Sequence, residues 1–180
     1  MAMGLFTRSA KGEGSSASEQ EQQVAMKLAR AYKRIFFGMD RKSVEREAAK
    51  DLCMRPIRFG NGICGYDLTF AGKPFSMGMK YHQDRLYAID FDYYGPDPYD
   101  VRDALKSMME SMYGHLYAAS GEVIAWKADD RLARLSLNRG RKSVTSVRLY
   151  IEYTPMVELI EQEKAEKSEQ AIKSEISNFC

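Results

Sequence analysis

Histidine is almost missing from this chain, with His82 and His115 alone among 180 residues. Each lies beside a predicted turn, so there is no His-rich metal set and no evident Ser-His-Asp or Cys-His arrangement. Cysteine is scarce too. Cys53, Cys64 and Cys180 are odd in number and lack CxxC spacing, which argues against a disulfide framework or a zinc site and for free thiols. Cys53 falls on the apolar side of a predicted helix and Cys64 at a strand start, where buried structural cysteine is expected. No stretch approaches the roughly 18 consecutive apolar residues of a membrane span, and the opening MAMGLFTRSAKGEG has no apolar core of a signal peptide. A reducing, cytoplasmic location is therefore expected.

Charge of one sign is lacking as well. Lys and Arg total 27 against 25 Asp and Glu, a formal net charge of +2, so no global electrostatic footprint for nucleic acid exists and any such binding needs a local patch. No glycine-rich phosphate loop is evident: Gly60-Asn61-Gly62 lacks the strand before it and the helix after it that a dinucleotide site requires. No cofactor is expected on these grounds, and no enzymatic constellation stands out.

What is present is hydrophobic patterning. Residues 1–17 are small and charged and read as a tail. Residues 18–37 read as an amphipathic helix, opened by the capping pair Ser18 and Glu21, with Val24, Leu28, Ala31, Tyr32, Ile35 and Phe36 recurring at helical spacing. Its other side carries Lys27, Arg30, Lys33 and Arg34 as one basic arc. Residues 38–154 form the main domain. Asp40 caps a helix bearing Val44, Ala48 and Leu52, which Pro56 ends at the latest. The period then changes to two, with Tyr66, Leu68 and Phe70 on one side of a strand.

Two strands follow with Phe75, Met77, Met79 and Tyr81 alternating on one and Tyr87, Ile89, Phe91 and Tyr93 on the other. A two-residue loop would pair Met77 with Asp90 and place carboxylates on the core face. An odd loop, Gln83-Asp84-Arg85, instead opposes Met77 with Phe91 and Tyr81 with Tyr87. The reverse face then carries Ser76 opposite Asp92, Gly78 opposite Asp90 and Lys80 opposite Ala88, with His82 at the tip. Asp97-Pro98 opens a further helix with Val101, Leu105, Met108, Met109 and Met112 inward and Gly114 as its stop. The methionine stripes fit core packing, with an adaptable binding groove as the alternative. Three strands come next, around Trp126, from Arg131 to Leu137, and from Val144 to Tyr153, where Arg148, Tyr150 and Glu152 face away from Val147, Leu149 and Ile151. Residues 155–180 read as a polar helix with Glu163–Lys167 and Glu169–Lys173 pairs, much of which projects.

The expected fold class is α+β: an antiparallel sheet of about six strands from two α-β-β-β units, helices on one face, and extra N- and C-terminal helices. Phe37-Gly38-Met39-Asp40 leading into a helix, Leu86 to Phe91 as a central strand, and Met112-Tyr113-Gly114 before a Trp-bearing strand resemble small bacterial proteins of the β-lactamase-inhibitor-protein type of architecture. The likeness spans roughly residues 36 to 153 and implies a non-enzymatic sheet surface that binds another protein. Type III secretion chaperones, small dimers with helices flanking strands, are a second comparison, although those are usually acidic.

The candidate protein-binding residues are Ser76, Lys80, His82, Asp90, Asp92 and Tyr150, for a protein partner or a homo-oligomer. The wealth of tyrosine, 11 residues, favours such an interface. A nucleic-acid alternative uses Lys27, Arg30 and Arg34 with the basic hairpin Arg139, Arg141 and Lys142. An enzymatic alternative uses Asp90 and Asp92, which share a strand face at i and i+2.

Overall fold

A computed structural model describes residues 30–60, 62–70, 72–128, 130–139 and 144–179. The predicted tail 1–17, the first part of the predicted helix 18–37 with Lys27, the hairpin residues Arg141 and Lys142, and Cys180 lie outside the described residues.

The chain forms an α+β structure with one large antiparallel sheet. A short hairpin, β1 (Arg30–Tyr32) and β2 (Ile35–Phe36), precedes helix α1 (Arg41–Ala48) and strands β3 (Met54–Phe59), β4 (Gly62–Phe70), β5 (Lys73–His82) and β6 (Arg85–Tyr93). Helix α2 (Pro98–Tyr113) precedes β7 (Ala118–Ser120), β8 (Val123–Ala128), β9 (Arg131–Arg139) and β10 (Val144–Tyr153), and α3 (Thr154–Phe179) closes the chain. Eight strands make the sheet in the order β3-β4-β5-β6-β10-β9-β8-β7.

Three expectations are corrected here. The sheet has eight strands, not six, because β3 and β7 were not foreseen. β3 contains Pro56, which is tolerated because β3 is an edge strand, and its arginines Arg55 and Arg58 guard that edge against further pairing. Residues 30–36 are a β-hairpin rather than helix, turning at Lys33 with a φ of 48°. Tertiary packing decides this, since the hairpin seats Tyr32 against Phe91 and leads Phe37 into a stack on Tyr153, with ring centroids 5.4 and 5.7 Å apart. Helix α1 stops at Ala48, so Leu52 is 96% exposed instead of buried, and Cys53 and Cys64 are both exposed.

The core lies on one side of the sheet. Met77, Ile89, Phe91, Leu135, Val147, Leu149 and Trp126 meet Val44 and Ala48 of α1 and Val101, Leu105 and Met109 of α2 in a single buried cluster. Asp40 caps α1 as expected, accepting from the Ser43 amide at 2.9 Å and the Ser43 hydroxyl at 2.8 Å. Asp97 occupies the cap position of α2 in a left-handed conformation, with no side-chain cap bond.

The central hairpin keeps its apolar register by a different device from the odd loop. Gln83 and Asp84, with φ of 46° and 61°, make a two-residue turn that pairs His82 with Arg85 and Tyr81 with Leu86. A bulge then shifts the register, so Tyr87 is unpaired, and Met79 meets Ile89 and Met77 meets Phe91. Leu86 is buried in place of Tyr87.

Candidate functional site

The reverse face of the sheet is covered by neither α1 nor α2, whose apolar sides both join the core cluster. Strand register lays its side chains out in rows that cross all eight strands. One row runs Arg55, Asp67, Ser76, Asp92, Arg148, Ser136, Val123 and Ser120. The next runs Ile57, Gly65, Gly78, Asp90, Tyr150, Arg134, Ala125 and Ala118. A third holds Lys80, Ala88, Glu152, Leu132 and Lys127. Ser76, Lys80, Asp90, Asp92 and Tyr150 thus share one face, and His82 lies at its margin on the β5–β6 tip.

These groups are tied into position. Arg148 donates to both oxygens of Asp92, Nε to Oδ1 at 2.7 Å and Nη2 to Oδ2 at 2.9 Å, a bidentate pair that joins β6 to β10 across the middle of the sheet. That bond holds the Arg148 guanidinium well above its ordinary pKa. Arg134 grips Glu152 in the same manner, at 2.9 and 3.4 Å. Tyr150 lies between two cations, Lys80 at 4.7 Å and Arg134 at 5.8 Å from its ring. Burial, with Glu152 adding to it, raises the Tyr150 phenol far above its usual range, so it is a neutral donor at any physiological pH.

Asp90 folds back over its own sheet. Its Oδ1 accepts from the Gly78 amide at 3.0 Å, which the missing Cβ at Gly78 permits, because a Cβ there would lie 2.2 Å from that oxygen. Gly65 and Gly78 sit side by side on adjacent strands, with the Asp90 carboxylate lying over Gly78. Asp90 and Asp92 share a face, but each is engaged by its own donor, so the two carboxylates do not form a facing acid-base pair. Among the described residues no group of three His, Cys, Asp or Glu side chains is placed to hold a metal.

At one end of the face lies a depression of about 630 Å³, with Arg55, Asp67, Ser76 and Asp92 among its walls and Leu52 and Tyr94 also lining it. Ser76 donates to Asp67 at 3.0 Å on its floor. Leu52 and Tyr94, 96% and 63% exposed, supply apolar surface at the rim. Arg55 and Asp67 were not singled out from the sequence, and Leu52 was read there as a residue of a buried helix face. Asp67 was findable, since it alternates with Tyr66 and Leu68, whereas Arg55 lies on the unforeseen β3.

The predicted helix pair Glu163–Lys167 is replaced by another contact. Glu163 of α3 accepts from Gln83 at 2.9 Å and hydrogen-bonds His82 Nε2 at 2.9 Å, pinning the first turns of α3 to the β5–β6 tip. Glu169 and Lys173 do pair, at 2.8 Å. From Lys164 to Glu175 the helix is exposed throughout.

Of the nucleic-acid candidates, Arg30, Arg34 and Arg139 fall among the described residues. Arg139 is held by Glu122, Lys33 is paired with Asp51 at 2.5 Å, and residues 30–36, read as part of a helical face, lie in the β1–β2 hairpin. Arg131 donates to the Arg30 carbonyl, placing Arg30 at the start of β9, while Arg139 ends it, a strand length of about 27 Å away. No helix among the described residues is long and apolar enough to cross a membrane. No family model matches the chain, and neither a curated protein nor a solved structure gives a significant match.

Proposed function

We propose that this chain is a non-enzymatic protein-binding module that engages its partner, another protein or a second copy of itself, through the polar face of the sheet. The observation that carries this reading is the face left free by α1 and α2: a pre-organised set of charges and one clamped tyrosine, with exposed Leu52 and Tyr94 at one end and α3 at the other margin. Fixed side chains lose little entropy on association. The face carries Arg55, Lys80, Lys127, Arg134 and Arg148 against Asp67, Asp90, Asp92 and Glu152, a near balance that suits a protein of mixed charge better than a polyanion.

The sheet is read here as two tandem units, α1 with β3 to β6 and α2 with β7 to β10. The shared element order and the palindromic strand order about β6 and β10 support that reading. It accords with an inhibitor-type architecture, in which the extended face of a duplicated sheet is the binding surface. The test is photocrosslinking from a reactive amino acid placed at Ser76 or Lys80, in the native cytosol, against the same probe at Arg102 on α2. A partner crosslinked from the sheet face, lost on Tyr150→Ala and absent from the α2 position, supports the proposal. Equal crosslinking from both positions counts against it.

A further inference from the structure

On the opposite side of the sheet, the core is not fully closed. A cavity of about 220 Å³ lies between the β1–β2 hairpin, the second half of α2 and the sheet. Its walls are apolar, with Phe70, Phe75 and Phe91 from the sheet facing Leu105, Met108 and Met109 of α2. An apolar cavity of about 150 Å³ already stays dry and accepts benzene, so this one has room for a larger guest. Flexible methionine side chains let its shape follow an extended tail.

The charged groups that line it are all cations, Arg30, Lys33 and Arg131, beside the phenol of Tyr32. Two are already partnered, Lys33 with Asp51 and Arg131 with Asp130 at 3.0 Å. Arg30 is exposed and, among the described residues, has no carboxylate at ion-pair distance; its guanidinium rests 5.8 Å over the Phe36 ring. Apolar walls with a cation that no described carboxylate pairs complement a molecule with an aliphatic body and one anionic end.

We infer that this cavity binds a single-chain carboxylate amphiphile of the fatty-acid class, tail among the methionines and phenylalanines, carboxylate on Arg30. The site is separate from the polar sheet face, and its occupancy is independent of any protein partner there.

Calorimetric titration of the full chain with decanoate, decanol and decyltrimethylammonium, each below its aggregation threshold, tests this. Decanoate is expected to bind at one site, about tenfold tighter than the other two. Arg30→Gln removes the preference for decanoate and leaves decanol binding unchanged. Ala31→Trp and, as a second blocker on the exposed side of α2, Met112→Trp abolish decanoate binding while the urea midpoint stays near that of the parent. Equal affinity for decanoate and decanol, retained binding in both blocked variants, or no saturable binding to the full chain overturns the proposal. The last result includes the case in which the chain N-terminal to Arg30 fills the cavity.

Discussion

Gly65 and Gly78 are neighbours across β4 and β5, yet replacing them should have unequal consequences. A Cβ on Gly65 would lie 2.6 Å from the Met77 carbonyl oxygen, which is backbone, so β4 and β5 must part to admit it. Overpacking of this kind costs about 1–3 kcal/mol, and the reduced entropy of the unfolded chain returns only about 0.4–1 kcal/mol. A Cβ on Gly78 meets only the Asp90 carboxylate, 2.2 Å away, which is free to swing outward. The loss there is one hydrogen bond, about 0.5–1.5 kcal/mol, offset by the same entropy term. Gly65→Ala should therefore destabilise by about 1.3 kcal/mol and Gly78→Ala by about 0.3 kcal/mol. In an Asp90→Ala background, Gly78→Ala should be neutral or slightly stabilising. Urea unfolding followed by the emission of Trp126, the single tryptophan and fully buried, reads all four proteins. If Gly78→Ala costs as much as Gly65→Ala, or if Asp90→Ala brings no relief, the placement of Asp90 over Gly78 is wrong.

Further outcomes follow from the same contacts. A double-mutant cycle with Asp92→Asn and Arg148→Met should give a coupling of about 1 kcal/mol, since two charge-assisted bonds would give about 1.5–3 kcal/mol but the Arg148 side chain is 44% exposed and screened; zero coupling would mean the pair does not form. Hydrogen bonds from the Ser43 amide and from Lys33 hold the carboxyls of Asp40 and Asp51 below the usual range. Their contribution is full above the ordinary value of about 3.9 and is lost as pH falls through the depressed one, so Asp40→Asn and Asp51→Asn should flatten stability against pH below about 4. Among the described residues the Tyr66 hydroxyl is buried without a partner, so Tyr66→Phe should be neutral or stabilising in the same urea assay, and a loss of more than about 1 kcal/mol would reveal an unseen bond.

The sidedness of the central hairpin was legible in the sequence because a period of two leaves only one register that keeps carboxylates off the core. Ser76 opposite Asp92 and Gly78 opposite Asp90 follow from that parity alone. The loop was not legible, because parity can be restored by an odd loop or by an even turn plus a bulge, and the chain uses the second. β3 was hidden by Pro56, which signals a break unless the strand is known to be an edge. β7 is Ala118-Ala119-Ser120, too short and too small to show alternation. For residues 30–36, apolar spacing suited either a helix or a hairpin, and contacts to Phe91 and Tyr153, distant in sequence, chose the hairpin. The interlocking of Arg148 with Asp92 and of Arg134 with Glu152 needed the order of β6, β10 and β9, which local pattern does not supply.

The polar sheet face is the proposed binding surface. It is tested most directly by mapping where a partner lies, with photoreactive probes placed singly at Ser76, Lys80 and Arg134 and, as controls, at Arg102 and Ser107 of α2. Crosslinks to one protein are expected from the three sheet positions, none from α2, with their loss on Tyr150→Ala in a variant of unchanged stability. Crosslinks confined to α2, or undiminished by Tyr150→Ala, would contradict it.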